Sequence, residues 1–414
     1  MSPDNQYLYA TALDGQIRRW QIGADGSLSG LQTFSGLISN PNRPPELIGL
    51  AFDPTNSNVL WVVQNTPTGT ADAEDFTGKI VKITLAGGPN FTGTVQNYVT
   101  GLPRSARDHF SNSLRFGPDG NLYLTQGSNT SAGVGDTAWG GRQERLLSAA
   151  MLQINPNLTP PAGGFNVQTE NYTTAGGTVI PGNYNPYAAN APVKLYATGL
   201  RNDFDFIFHS NGSLYAPTNG SGGGGITPDN PNTPANEGLT NVNSRPDYLF
   251  RVQQGGYYGH PNPSRGEYIM AGGNPTAGTD PDEVSGNPGV SGYAVGTMPD
   301  PDYQFALLNL GVSRAPTGVI EYQSNTFGGR LRNRIVYTEY SAGDDIVVLD
   351  LDQNGNVTGT SILAGGSVNP DWGMANPVDL IENTANGNLY VAELYPQGYG
   401  PGTTPGRIRL LKPA

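Results

Sequence analysis

The feature that most restricts the fold is a repeat of two short strands joined by a polar turn. It is clearest in LAFDPTNSNVLWVVQN (50–65), LRFGPDGNLYLTQG (114–127), FIFHSNGSLYAPTNG (206–220) and DLIENTANGNLYVAEL (379–394). In each copy, apolar and polar residues alternate on both sides of a turn containing Asn, Asp or Gly, which is the strongest short-range signal of a β-hairpin. Two further stretches, QYLYATAL (6–13) and NRIVYTEYS (333–341), show the second strand clearly but not the first.

A third strand follows the second strand in all six units. These third strands lie at 15–22, 78–85, 149–156, 246–253, 344–351 and 406–413. Six such antiparallel sheets predict an all-β fold, a six-bladed β-propeller formed by residues 1–414 as one domain, because each blade buries both faces against its neighbours. Several β-sandwich domains are the alternative, but the sequence shows no linkers between independent cores.

The links between second and third strands are long in only two of the units. They span 128–148 in the third unit and 218–245 in the fourth. The sequence therefore predicts long insertions in the third and fourth blades. Because loops on a rigid scaffold usually carry function, we expect the functional residues there.

Composition excludes several kinds of partner. The net charge is −12 and only four of the 414 residues are lysine, which argues against nucleic acid as a ligand. No segment approaches the ~20 apolar residues that a membrane-spanning helix needs. The chain has no cysteine, so disulfides and thiolate metal sites are excluded. The low charge and the abundance of Asn, Thr, Ser and Gly favour an exported protein, extracellular or periplasmic, although no signal peptide is visible in the sequence.

The chain has three histidines, and His109 stands directly before the hairpin at 114–127. An imidazole titrates near neutral pH and can serve as a general base. The residues alone leave open a loop histidine that only bonds to the backbone. His209 lies in a hairpin turn and is expected to be exposed. His260 lies in a Pro- and Gly-rich loop and is expected to be structural or to line a central cavity.

Four segments together carry a resemblance to a known family. They are RDHFSNSLRFGPDGNLYLTQG (107–127), ATGLRNDFDFIFHSNGSLYAPTNG (197–220), DYLFRVQQGGYYGHPN (247–262) and APTGVIEY (315–322). In this order they resemble the soluble quinoprotein glucose dehydrogenases and their sorbosone dehydrogenase relatives, which are six-bladed propellers. The resemblance covers most of the chain. It implies an oxidoreductase that depends on calcium and pyrroloquinoline quinone (PQQ) and oxidises a small sugar of the aldose or sorbosone type.

The resemblance also implies roles for individual residues. His109 takes the position of the general base for the sugar hydroxyl group. Arg201 and Asn202 take the positions that face the quinone, where a guanidinium group stabilises developing negative charge. The other matched positions are the quinone contacts Ser313 and Arg314, the calcium-binding carbonyl groups of Gly220 and Ser221, and Asp247 and Tyr258 at a second calcium site. Without the family, Arg201 reads equally well as an arginine that closes a loop, and the glycine run 222–225 reads as a flexible loop.

Several positions depart from the family pattern. The lysine that binds a quinone carboxylate aligns with Ala342 or Gly343, and two arginines align with Asn376 and Val378. The aspartate that orients the catalytic histidine aligns with Ser128. Each lost charged contact removes ~1.5–3 kcal/mol from binding. A second hypothesis therefore stays open, a propeller module with a degenerate quinone site that binds or cleaves a polysaccharide, as one domain of a larger surface protein.

Overall fold

The fold is built almost entirely from short antiparallel strands. The computed structural model describes residues 1–67, 74–88, 90–174, 176–234, 237–284, 292–365, 373–394 and 406–413. Within these ranges the helical segments are three single turns of 3₁₀ helix, at Thr137–Trp139, Pro263–Arg265 and Phe327–Gly329.

The strands of the described residues are numbered in chain order. They are β1 (Tyr7–Thr11), β2 (Ile17–Ile22), β3 (Leu28–Phe34), β4 (Glu46–Asp53), β5 (Asn56–Asn65), β6 (Gly78–Leu85), β7 (Gly93–Leu102), β8 (Ser111–Phe116), β9 (Leu122–Gln126), β10 (Ala150–Ile154), β11 (Phe165–Asn166), β12 (Tyr172–Thr173), β13 (Val179–Ile180), β14 (Val193–Thr198), β15 (Ile207–Phe208), β16 (Leu214–Thr218), β17 (Pro246–Val252), β18 (Leu308–Val312), β19 (Pro316–Tyr322), β20 (Arg334–Glu339), β21 (Asp345–Leu351), β22 (Val357–Gly365), β23 (Pro377–Asn383), β24 (Asn388–Glu393) and β25 (Arg407–Leu411).

Six sheets form the six blades of a β-propeller. In chain order the blades are β1-β2-β3, β4-β5-β6-β7, β8-β9-β10-β14, β15-β16-β17-β18, β19-β20-β21-β22 and β23-β24-β25. The short strand β11 adds to the outer edge of the second blade in parallel, and β12 pairs with β13 in a separate hairpin. The predicted all-β propeller is therefore confirmed.

The predicted hairpins and third strands lie where the repeat placed them. The four clearest copies form the hairpins β4–β5, β8–β9, β15–β16 and β23–β24. The fifth unit has a first strand that the repeat did not reveal, because β19 is separated from β20 by a long turn containing Phe327–Gly329. In the first blade the structure describes three strands, beginning with β1.

Apolar side chains fill the spaces between neighbouring blades. One cluster joins the second and third blades through Trp61, Tyr98 and Leu124, all fully buried. Another joins the fifth and sixth blades through Val348, Leu389 and neighbouring aliphatic residues. Because both faces of a blade are covered in this way, the buried strands contain nearly continuous apolar runs.

Tyrosine hydroxyl groups also fasten one blade to a turn of the next. Tyr215 donates to the carbonyl oxygen of Gly355 at 2.8 Å, and Tyr390 donates to that of Gly26 at 2.8 Å, which closes the ring between the sixth and first blades. Both glycines have positive φ angles, 76° and 82°, which side chains disfavour. At Gly26 a Cβ atom would lie 2.4 Å from the side chain of Asn388. The Gly of these turns is therefore required by packing as well as by conformation.

The long insertions belong to the third and fourth blades, as predicted. In the third blade they follow β9 and β10, and in the fourth they follow β16 and β17. The insertion after β17 carries Asn262, whose side chain donates to the carbonyl oxygen of Arg145 in the insertion after β9 at 2.8 Å. The insertions thus support one another. No helix in the described ranges is both long enough and apolar enough to cross a membrane.

Candidate active site

A central cavity of about 1680 Å³ is bordered by residues from all six blades. Seven of the predicted site residues line it: His109, Arg201, Asn202, Gly220, Ser221, Asp247 and Ser313. Tyr258 instead borders a separate cavity of about 40 Å³, which Arg201, Gly220 and Ser221 also reach. The fold therefore brings seven of the predicted residues to one cavity, while their roles stay predictions.

His109 lies in the segment between β7 and β8 and is 5% exposed. Its Nδ1 atom is 3.0 Å from the hydroxyl oxygen of Ser128, and that hydroxyl donates to the carbonyl oxygen of Thr130 at 2.8 Å. Because the single proton of Ser128 is used in this way, Nδ1 of His109 is assigned as the donor and Nε2 as the nitrogen with the free electron pair. This is the tautomer that a general base at Nε2 requires.

The surroundings of His109 keep its ring neutral. Burial lowers the pKa of His109 well below its usual value, and electrostatic interactions with Arg201 and His260 lower it further, against a hydrogen bond with the backbone of Ser128, which raises it. At neutral pH the imidazole is therefore unprotonated. A buried histidine that is held neutral and fixed in one tautomer can accept a proton.

Arg201 lies beside His109 and shares a tryptophan neighbour with it. Its Nε atom donates to the carbonyl oxygen of Ser131 at 3.0 Å, and Nη1 donates to that of Gly220 at 2.7 Å. The guanidinium carbon is 5.0 Å from the ring centroid of Trp139, and the His109 ring is 4.6 Å from that ring. Burial lowers the pKa of Arg201 to about 10, so it stays charged at neutral pH.

Asn202 belongs to a chain of three side-chain amides. Its oxygen accepts from Asn112 at 3.0 Å, and its nitrogen donates to the oxygen of Asn219 at 3.1 Å. Asn112 also donates to the backbone carbonyl of Asp203. The amide of Asn202 is therefore held in place between the third and fourth blades.

The residues predicted to bind calcium have other partners. The carbonyl oxygen of Gly220 accepts from Arg201, and that of Ser221 accepts from the backbone N–H of Arg245 at 2.9 Å. A divalent cation on the Gly220 oxygen would lie close to a guanidinium group, and the two positive charges would repel each other. The calcium assignment stays a prediction, and these contacts do not favour it.

The second predicted calcium site is not assembled in the described residues. The carboxylate of Asp247 accepts the backbone N–H groups of Gly220 and Ala315, both at 2.7 Å. The hydroxyl group of Tyr258 donates to the carbonyl oxygen of Arg251 at 3.0 Å, and its ring packs in an apolar cluster. Among the described residues, no group of three or more His, Asp or Glu side chains converges as a metal site would require.

Ser313 and Arg314 separate in the structure. Ser313 lines the cavity with a φ angle of 56°. Arg314 pairs with the buried carboxylate of Glu339, with Nη1 at 3.3 Å from Oε2. The positive charge expected to bind an anionic cofactor is therefore already shared with an acidic side chain.

The other two histidines lie away from the wall of the central cavity. His209 is 7% exposed rather than exposed as predicted, because its Nε2 atom contacts the carbonyl oxygen of Asn333 at 3.2 Å in the next blade. His260 is 3% exposed, and its Nε2 atom lies 2.9 Å from Oε1 of Glu144.

Sequence reasoning missed two residues of the site, Trp139 and Glu144. Trp139 lies in a one-turn 3₁₀ helix that is capped by the side chain of Asp136. Glu144 is buried in the same insertion, at 5% exposure. The only sequence signal was their position in an insertion of the third blade, since nothing local shows that a loop residue will be buried.

Comparison with known proteins shows similarity in structure only. No protein-family model matches the sequence, and no curated protein matches it. A structure of a Thermus thermophilus protein assigned as an oxidoreductase (glucose dehydrogenase) is similar with a TM-score of 0.57 and 18% identity, covering 99% of this chain and 94% of that one. The PQQ domain of a pyranose dehydrogenase from Coprinopsis cinerea is similar with a TM-score of 0.53 and 14% identity, covering 93% and 89%. The resemblance found in the sequence is thus confirmed at the level of the fold, which this chain shares with a glucose dehydrogenase-type oxidoreductase and with the PQQ domain of a pyranose dehydrogenase.

Proposed function

We propose that the protein is a sugar oxidoreductase in which His109 removes the proton of a substrate hydroxyl group in the central cavity. The observation that carries this proposal is the state of His109, which is buried, neutral and held at Nδ1 by Ser128, with no hydrogen bond to Nε2 from the described residues. Removing a hydroxyl proton concentrates negative charge on the oxygen and weakens the adjacent C–H bond toward loss of hydride, which a two-electron acceptor of the quinone or dye type would have to take up. That proton transfer is the step assigned to this chain's own residues.

Arg201 supports the same chemistry by its charge. It remains positive at neutral pH, and within the described residues Nη2 makes no hydrogen bond, while Nε and Nη1 are fixed by two carbonyl oxygens. A guanidinium group that is already positioned stabilises a developing oxyanion without reorganisation. Gly222 leaves room in front of it, because a Cβ atom there would lie 3.8 Å from Nη2.

The cavity wall fits a tricarboxylate quinone poorly. Eight acidic and five arginine side chains line its described part, and no lysine does: Asp14, Asp108, Asp205, Asp247, Glu321, Asp379, Glu382 and Glu393, with Arg18, Arg115, Arg201, Arg245 and Arg407. Three of the arginines already pair with carboxylates, Arg18 with Asp14, Arg115 with Asp205 and Arg407 with Glu393. We therefore derive no step through PQQ or calcium.

The acid-rich wall favours a second candidate function. A propeller module that binds or cleaves a polysaccharide needs a cavity for neutral hydroxyl groups and no anionic cofactor. His109 would then act as base in a non-redox reaction or contact the ligand directly. The extracellular or periplasmic location expected from the composition suits both candidates.

The test is dye-linked oxidation of a panel of aldoses by purified protein, with PQQ and Ca²⁺ either supplied or omitted. Oxidation by the wild type and its loss in His109→Ala support the proposal. Absence of oxidation across the panel, together with binding of a neutral oligosaccharide measured by calorimetry, would favour the second candidate. Calorimetry with PQQ in the presence of Ca²⁺ checks the fit separately, and we expect no tight binding.

A further inference from the structure

A second histidine lies behind the first, paired with a buried carboxylate. Both side chains of the His260–Glu144 pair are at most 2% exposed. Arg265 and Glu267, the charged residues that follow His260 in the chain, pair with each other at 2.8 Å. The carboxylate that contacts His260 comes instead from the third-blade insertion.

The carboxylate of Glu144 accepts hydrogen bonds from several residues of that insertion. Its two oxygens accept the backbone N–H groups of Asn129 at 3.1 Å and Thr130 at 2.9 Å, and the hydroxyl groups of Thr130 and Ser148, each at 2.5 Å. Together with His260 this makes five donors on one carboxylate. Burial raises the pKa of Glu144, but the bonds from His260 and the two hydroxyl groups outweigh it and lower the pKa to about 2. The carboxylate is therefore ionised at neutral pH.

The bonds continue from Glu144 to His109. Glu144 holds Thr130 by both its N–H and its hydroxyl group, and the carbonyl oxygen of Thr130 accepts the proton of Ser128. Ser128 in turn meets Nδ1 of His109. Every residue in this path is 5% exposed or less, so water does not compete for these bonds. The direction of the Ser128 hydroxyl, and with it the tautomer of His109, depends on where Thr130 is held.

We propose that Glu144 and His260 are positioning residues for His109, acting through Thr130 and Ser128. The inference rests on the proposed function and adds the means by which this chain orients its base, since Ser128 stands where the sequence resemblance implies an aspartate. His260 completes this arrangement because its Nε2 atom, 2.9 Å from Oε1 of Glu144, adds a hydrogen-bond donor from the fourth-blade insertion to those that the third-blade insertion supplies. The Nδ1 atom of His260 is buried without a partner among the described residues, so Glu144 is the contact that fixes its ring.

The experiment compares Glu144→Gln with the wild type and with the control Glu267→Gln. The control removes another buried carboxylate from the same pair of insertions, but one that makes no bond to residues 128–130. Nitrogen-15 NMR of the imidazole rings reports the tautomers directly, and with three histidines the spectrum is simple. In the wild type and in Glu267→Gln we expect His109 as a single Nδ1–H tautomer at pH 7. In Glu144→Gln we expect a mixture of the two tautomers.

Turnover gives the second readout. If the wild type is active, Glu144→Gln lowers kcat about ten- to a hundredfold, the effect of one buried charged hydrogen bond, with KM changed less than about twofold. Thr130→Val keeps the charge of Glu144 and the backbone N–H bond but removes the hydroxyl bond of the path, so it should reproduce both effects in part. It also serves if Glu144→Gln does not fold. A pure Nδ1–H tautomer in folded Glu144→Gln or Thr130→Val overturns the inference. An inactive wild type with the expected tautomers overturns only the proposed function.

Discussion

The third and fourth blades and the fifth and sixth blades share one strand plan but bury different chemistry. The insertions of the third and fourth blades bury polar groups, among them Ser128, Thr130, Glu144 and His260, which bond to one another. Between the fifth and sixth blades the buried residues are mostly aliphatic, such as Val348 and Leu389. Polar networks of the first kind are specific but costly to leave incomplete, whereas apolar packing of the second kind stabilises without directing chemistry.

We infer from this difference that catalysis and stability depend on different regions of the molecule. Changes to the polar insertions should affect turnover and ligand binding more than the free energy of unfolding. Changes to the apolar cluster of the fifth and sixth blades should affect the free energy of unfolding and leave the cavity intact. Variants in the two regions test that separation.

The largest effect that we expect is the loss of turnover in the variant His109→Ala. Loss of a positioned general base lowers kcat by ~10²–10⁴-fold. The melting temperature should change far less than kcat, because the variant removes one side-chain hydrogen bond, to Ser128, and leaves the apolar clusters between the blades intact. The matched control is His209→Ala, which removes a buried histidine from a hairpin turn outside the cavity. Equal kcat values for wild type and His109→Ala would show that His109 is not the base.

In the apolar region the largest effect is expected from Leu389→Ala. Leu389 is fully buried between the fifth and sixth blades, and its truncation leaves a cavity, which should lower the free energy of unfolding by ~2–5 kcal/mol. Ile362→Ala on the outer strand β22, where the side chain is 37% exposed, should cost much less. Chemical denaturation of the three proteins measures both values. A large loss of kcat in Leu389→Ala under conditions where it is folded would contradict the separation of tasks.

The sequence predicted the blades better than the site, and the two regions show why. A hairpin such as 379–394 is specified by alternation and a turn, both of which are local, so β23 and β24 lie where the repeat placed them. The partner of His260 depends on how two insertions pack, and Glu144 is 116 residues away along the chain. His209 was expected to be exposed for the same reason, because its cover comes from Asn333 in another blade. Local patterns carry no information about such contacts.

A pH-dependent effect is expected at Asp379, on the cavity-facing strand β23 of the sixth blade. The residue is exposed to the solvent of the cavity, but desolvation inside the ring of blades, and then the charge of Asp205, raise the pKa of Asp379 to about 7, against the opposing charge of Arg115. Because the folded state binds this proton more tightly than the unfolded state, Asp379 contributes a stability that is present at pH 4 and is lost as the pH rises toward 7. Asp379→Asn removes the ionisation and keeps an oxygen for the N–H of Leu380. At pH 8 the variant should be more stable than the wild type, by an amount that solvent screening at this exposed position reduces, with little difference at pH 4. Thermal unfolding at pH 4 and pH 8 measures the difference in stability between the variant and the wild type. The same difference at both pH values would contradict the raised pKa of Asp379.

The smallest effect is expected where the two regions meet, at the bond from Tyr215 in the fourth blade to Gly355 in the fifth. The tyrosine is fully buried, and its hydroxyl group also accepts from Asn211 at 2.9 Å. Tyr215→Phe keeps the ring and removes the hydroxyl group, so two hydrogen bonds are lost, each worth about 0.5–1.5 kcal/mol in the free energy of unfolding. Tyr187→Phe, at a side chain that is 64% exposed, should change nothing measurable.

Turnover of Tyr215→Phe shows whether the bond from Tyr215 to Gly355 only stabilises the fold or also positions the cavity wall. If it only fastens one blade to the next, Tyr215→Phe unfolds earlier in denaturant but retains the kcat and KM of the wild type. The reason is that Tyr215 touches the turn at Gly355, whereas the fourth-blade residues of the cavity wall, such as Asn202 and Gly220, are held by Asn219, Arg201 and Asp247. A drop in kcat as large as that of Glu144→Gln would mean that the compact blades position the cavity directly. The proposed separation, in which the fifth and sixth blades stabilise the fold and the insertions of the third and fourth blades carry the chemistry, would then be wrong.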